Sequence, residues 1–180
     1  MSVTASTVRT ERRTLAALQR LTKLLRRDEL RVATAESCTG GALAAALTDL
    51  PGSSHWFVAG WVVYSNAAKQ RDLGVRAATL ARHGAVSAAT VRELAAAALA
   101  RSGAELAVSI SGIAGPGGAV PGKPVGTVWF GFAVRRGRRT RLETVAMRFR
   151  GDRAAVRRKA VEFALRGLYS MALRGSLYTS

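Results

Sequence analysis

Two side chains able to act as nucleophiles, Ser37 and Cys38, stand together in the stretch Thr34-Ala35-Glu36-Ser37-Cys38-Thr39-Gly40-Gly41. The apolar run over residues 31–36 reads as a buried strand. The small-residue run from about Gly41 to Leu50 reads as a helix, and Gly40 and Gly41 permit a tight turn between the two. A helix that opens just after Thr39 aims unpaired backbone N–H groups and its positive dipole end at that turn. Such a place can hold an anion or a developing oxyanion. Cys38, Thr39, Gly40 and Gly41 are therefore candidates for oxyanion or substrate binding. The same residues also suit an ordinary strand-to-helix turn capped by Ser and Thr.

Two further polar stretches follow predicted strands: Tyr64-Ser-Asn-Ala-Ala-Lys69, and the glycine-rich loop from Ser111-Gly112 to Gly118. In open α/β sheets, ligands bind at the carboxyl ends of strands, so the three stretches are expected to meet in one pocket. The lysines are Lys23, Lys69, Lys123 and Lys159, in a chain that otherwise uses Arg. Arg keeps its proton near neutral pH, whereas a buried Lys can lose it. Lys69 beside a Ser nucleophile would make a Ser–Lys hydrolase arrangement, although its residue type alone fits a helix surface equally. Tyr64 can donate a hydrogen bond or simply pack. Backbone N–H groups of the loop containing Gly112, Gly115 and Gly117 can face a phosphate or carboxylate, and Lys123 at its far end can reach an anion. The loop matches neither a Walker motif nor a dinucleotide fingerprint.

The elements that must position these residues alternate along the chain. Leucines at helical spacing predict an amphipathic helix over residues 7–27. Trp56 to Tyr64 reads as an interior strand covered on both faces. Short helices are expected near 67–73 and 77–82, a long one from Ala88 to Arg101, and a strand from Leu106 to Ser111. Residues 125–134 and 140–149 form a hairpin about Arg135-Arg-Gly-Arg-Arg139. Asp152 caps a final helix from Arg153 to about Tyr169. The expectation is a single α/β domain over residues 7–170 with an antiparallel edge, flanked by flexible tails at 1–6 and 171–180.

At 180 residues, 48% hydrophobic and 22% charged, the chain has the size and composition of one soluble domain. Its net charge of +17 makes a polyanion a partner to consider. The arginines are scattered through both termini and the hairpin, so any nucleic-acid binding is expected to be weak and non-specific. A single Cys excludes an internal disulfide and a Cys-rich zinc cluster, and His55 and His83 lack metal-type spacing, so neither metal nor cofactor is expected. With no run of membrane-span length and no apolar secretory core, the cytoplasm is the expected location.

Seven motifs occur in order: Ala35-Glu-Ser-Cys-Thr-Gly-Gly41, Pro51-Gly-Ser-Ser54, Tyr64-Ser-Asn-Ala-Ala-Lys69, His83-Gly-Ala-Val-Ser87, Ser111-Gly-Ile-Ala-Gly-Pro-Gly-Gly118, Lys123-Pro-Val-Gly-Thr-Val128 and Gly151-Asp-Arg153. From about Leu15 to Leu168 the chain resembles the CinA C-terminal domain family, in its stand-alone form. The resemblance implies a three-layer α/β/α sandwich with a mixed sheet, assembled as a homodimer or larger. It implies metal-free hydrolysis of nicotinamide mononucleotide to nicotinate mononucleotide and ammonia, a step of pyridine nucleotide salvage. It places Ser37 as nucleophile, Lys69 as its base and Tyr64 close by, and carries a site arginine to Arg153. The family's usual Thr before Gly-Ile-Ala-Gly is Ser111 here, which keeps the hydroxyl. Two alternatives stand beside this. Cys38 could be the nucleophile, with Glu36 and Lys69 in a nitrilase-like set. Or the chain could be a non-catalytic nucleotide- or DNA-binding module, since family members are linked by name to competence and DNA damage.

Overall fold

A computed structural model describes residues 5–177, and side chains from residue 8 onward. Five strands form one mixed sheet in the order β2-β1-β3-β4-β5. β1 (Val32–Glu36) pairs in parallel with β2 (Phe57–Val62) on one side and β3 (Leu106–Gly112) on the other. β4 (Thr127–Arg136) and β5 (Arg139–Arg148) follow antiparallel, as the hairpin pattern predicts.

Helices cover both faces, because alternate residues of the central strands are apolar on both sides. On one face lie α1 (Ala5–Arg27), α2 (Ala42–Thr48) and α6 (Arg153–Arg174). Their core is built from large side chains, among them Leu21, Leu25, Val108, Ile110, Phe130, Phe132 and Leu165. On the other face lie α3 (Asn66–Leu73), α4 (Ala77–His83) and α5 (Ala88–Ser102). Here the sheet offers Ala35, Ala107 and Ala133, so α5 can lie close. At Gly131 a Cβ would stand 2.3 Å from the Val91 carbonyl oxygen of α5. The three-layer α/β/α sandwich expected from the sequence is present.

Two expectations are corrected. The run from Trp56 to Tyr64 is not an interior strand: β2 is the sheet edge, its alternate residues are exposed, and Val62 is 54% accessible. Its apolar density arises partly from Trp56, which precedes the strand and donates its indole N–H to the Leu47 carbonyl inside the core. The final helix also continues five residues past Tyr169, because Met171 and Ala172 stay in phase and are buried. Beyond it, the Leu177 amide and the Ser176 hydroxyl donate to Glu143. The expected tail from 171 is thus ordered through 177, and residues 5–6 belong to α1. The rest of the two predicted tails, 1–4 and 178–180, lies outside the described residues. Among the described residues no helix is long and apolar enough to cross a membrane.

Candidate active site

Ser37 is the first residue after β1, and its N–H donates to the Ile110 carbonyl at 2.9 Å, extending the β1–β3 pairing by one step. Strand alternation then sends Glu36 and Ser37 to opposite faces. Glu36 turns towards α2, where it accepts from the amides of Gly41 (3.0 Å), Leu43 (3.1 Å) and Ala44 (2.8 Å). A fully buried carboxylate thus caps the start of that helix, where the dipole favours negative charge. Ser37 turns towards α3.

From α3 comes Lys69. Ser65 caps this helix by accepting from the Ala68 N–H at 3.0 Å, which sets the Lys69 side chain one turn inside. The side chain is 1% exposed, and its Nζ lies 2.8 Å from the carbonyls of both Val63 and Tyr64 and 3.2 Å from Ser37 Oγ. No carboxylate is among these partners. The two carbonyls can only accept, so they take two Nζ protons. The third position faces a hydroxyl that can accept or donate. In the neutral amine that position is a lone pair aimed at the Ser37 proton. Burial holds the Lys69 pKa below its usual 10.5 and so favours this form. The Ser37 hydroxyl and the Lys69 amine are therefore in direct contact.

Cys38 is 6% exposed and belongs to the hydrophobic core. Burial pushes its thiol up to about 11, which leaves almost no thiolate near neutral pH. Glu36 is committed to three amides on the opposite face. Of the nitrilase-like set, Glu36 is thus already engaged and Cys38 is held as a thiol.

The turn after Ser37 needs glycine, because Gly40 (φ +59°) and Gly41 (φ +88°) take left-handed conformations. Their amides do not serve as oxyanion donors, which corrects the sequence expectation. The Gly40 N–H donates to the Ser37 carbonyl and the Gly41 N–H to Glu36. Among the described residues, no backbone carbonyl accepts from the Cys38 or Thr39 N–H. These two amides directly follow Ser37.

Arg153, at the first position of α6, joins two other predicted stretches. Its guanidinium donates to the Gly115 carbonyl at 2.9 Å and to the Tyr64 hydroxyl at 3.2 Å. The Tyr64 ring is 58% exposed, while its carbonyl holds Lys69. Tyr64 thus enters the site twice, once through each part of the residue.

The remaining loop residues divide by cause. Ser111 Oγ gives its proton to the Ala85 carbonyl at 2.7 Å, tying β3 to the segment before α5 and leaving only acceptor capacity. Gly112 is required by packing, since a Cβ there would stand 2.8 Å from the Thr127 carbonyl oxygen. At Gly115 a Cβ would meet Val125 at 2.7 Å. Only Gly117 of these three is open, with nothing within 4 Å. Lys123 donates to the His83 carbonyl at 3.0 Å instead of standing free for an anion. Sequence reasoning passed over Arg157, which donates to the Thr39 carbonyl at 2.8 Å. Its signal was the i, i+4 spacing from Arg153, hidden among many other arginines.

The chain is 53% identical over 146 residues to the nicotinamide-nucleotide amidohydrolase PncC of Escherichia coli K12, covering 81% of this chain and 86% of that protein. It is 50% identical over 152 residues to the protein of that name from Pseudomonas putida, covering 84% and 92%. A crystal structure of a competence-damaged protein (CinA) superfamily protein from Klebsiella pneumoniae superposes with a TM-score of 0.83 at 44% identity, covering 89% of this chain and 98% of that one. The model of the CinA C-terminal domain matches residues 14–172, and the chain belongs to the CinA C-terminal domain family.

Proposed function

We propose that the protein is a nicotinamide-nucleotide amidohydrolase that converts nicotinamide mononucleotide to nicotinate mononucleotide and ammonia by a Ser–Lys mechanism. The observation that carries the mechanism is the 3.2 Å contact between Lys69 Nζ and Ser37 Oγ, with the amine otherwise held by two carbonyls. Relatives named for this activity at 50–53% identity support the substrate.

An amide is a poor electrophile, so an activated nucleophile and a preformed oxyanion site both lower its barrier. Ser37 Oγ attacks the carboxamide carbon as Lys69 takes its proton. The carbonyl oxygen becomes an oxyanion and receives the Cys38 and Thr39 N–H groups. Collapse expels the nitrogen, which leaves as ammonia with the proton from Lys69. Water then attacks the acyl-serine, with Lys69 again as base, and releases the carboxylate. Arg153 and the Gly112–Gly118 loop lie where they can hold the ribose phosphate. On this reading the enzyme serves pyridine nucleotide salvage in the cytoplasm, needs no cofactor, and works as a homo-oligomer, which light scattering would check.

The deciding experiment is ammonia release from nicotinamide mononucleotide by wild type and Lys69→Ala. Wild type turns over and the variant does not. DNA binding that stays tight at physiological salt, with no ammonia released, would instead favour the non-catalytic reading.

A further inference from the structure

We infer that Arg157 is a positioning residue for the nucleophile turn and controls the rate of acyl transfer without binding substrate. The inference rests on the Ser37 reading above and goes beyond it.

The turn from Ser37 to Gly41 carries the nucleophile and both unengaged amides. Its middle peptide, between Thr39 and Gly40, is held by backbone bonds within the turn, among them the Ala42 N–H donating to the Thr39 carbonyl at 3.2 Å, and by one side chain from outside it. The Gly40 N–H donates to the Ser37 carbonyl at 3.0 Å, and the Thr39 carbonyl accepts from Arg157 Nη2 at 2.8 Å. The orientation of that peptide sets where the preceding Cys38 and Thr39 N–H groups point. The inner bonds belong to the turn itself. The outer bond is made by a side chain 118 positions away in sequence, on α6.

The anchor is well placed to be stiff. Among the described residues, Arg157 Nε is buried without a hydrogen-bond partner, and Nη2 makes the guanidinium's bond to the turn. A Cβ built on Gly40 would lie 3.7 Å from the same nitrogen, so the guanidinium also abuts the turn sterically. One turn earlier on α6, Arg153 grips Gly115 and Tyr64. Helix α6 therefore presents two arginines with different tasks. Arg153 stands with the ring hydroxyl and the glycine loop. Arg157 fixes the direction of the oxyanion donors. Peptide misorientation of about 1 Å near reacting atoms costs on the order of 100-fold in rate.

The test uses full-length wild type, Arg157→Ala and Arg157→Lys, with two readouts. In the first, ammonia release from nicotinamide mononucleotide is followed. Arg157→Ala should lower kcat on the order of 100-fold, the cost of general misplacement and the lower end of the loss of one aligned donor, with KM within about threefold. Arg157→Lys, which keeps one donor, should recover part of the rate, and added guanidinium chloride at low, non-denaturing concentration should restore part of it to Arg157→Ala. In the second, Ser37 is labelled by a fluorophosphonate, its oxygen displacing fluoride at phosphorus, and the labelling rate should fall in parallel in Arg157→Ala.

A kcat and labelling rate unchanged in Arg157→Ala would overturn the inference. So would a loss of rate that neither lysine nor guanidinium recovers and that tracks a fall in Tm. Should wild type label at Ser37 yet release no ammonia, the substrate reading fails while the labelling comparison still decides the role of Arg157. Should wild type fail to label at all, the nucleophile turn itself is misassigned and the inference falls with it.

Discussion

At the scale of single residues, the division of labour between Ser37 and Cys38 is a matter of which face each meets. Ser37→Ala should lower kcat on the order of 10⁴-fold, whereas Cys38→Ala, which trims a small buried thiol, should stay within about threefold of wild type; ammonia release by each variant checks both. Lys69 sets the pH dependence. Its proton must leave before it can act as base, so kcat/KM rises with pH through the Lys69 pKa, and burial puts that midpoint below 10.5. A pH profile whose rising limb lies at or above that value would sink the assignment. The sign for stability follows from the same shift. Between the folded pKa and 10.5 the unfolded chain binds the extra proton, so this group's contribution makes stability rise with pH across that window. The pairing of Ser37 with Lys69 came from the resemblance to the family's motifs, because the residue type of Lys69 alone fits a helix surface as well.

At the scale of elements, β1 and α2 are joined by Glu36. The strand's last residue satisfies three amides at the start of the helix that follows, and this spans the tight turn that carries the nucleophile. Glu36→Gln leaves one acceptor oxygen and turns an NH₂ towards N–H donors. It should cost about 2 kcal/mol and lower Tm by about 6 °C for a chain of this length. Thermal unfolding checks this, and an unchanged Tm would remove the cap from the account. Glu36 was not legible as a cap, because its partners lie five to eight residues on and the usual cap signal looks only two or three residues ahead. Of the four residues proposed at the turn, Gly40 and Gly41 have engaged amides, which the sequence hid for the same reason: glycines mark where a turn bends, but the bonds that occupy their amides appear only once the turn is folded. The edge position of β2 was hidden because apolar density reports burial and not strand order. Trp56, in the core but outside the strand, supplied part of that density.

For the molecule as a whole, seven ordered motifs made the architecture legible, while the +17 net charge had no structural counterpart in the sequence. Several arginines turn out to be spent on carbonyls: Arg135 on Leu99, Arg136 on Ala172, Arg153 on Gly115 and Arg157 on Thr39. They pin helices to the sheet and to loops. Bonding a neutral carbonyl leaves each guanidinium its charge, so on the proposed function the whole positive field acts at a distance on an anionic nucleotide. The kcat/KM for nicotinamide mononucleotide should therefore fall several-fold between about 50 and 500 mM NaCl, as the Debye length shrinks well below about 10 Å. kcat itself should change little. Steady-state kinetics across that range would show it, and a salt-independent kcat/KM would mean the field plays no part in capture.

The Lys69 amine is steered by carbonyls of Val63 and Tyr64, not by their side chains. Every amino acid carries such a carbonyl, so substitutions at either position leave the acceptors in place. Protein relatives could therefore diversify the entrance around Tyr64 to admit other amides while inheriting the same base. An insertion or deletion anywhere from 63 to 69 would do what point changes there cannot, and swing the amine away from its serine.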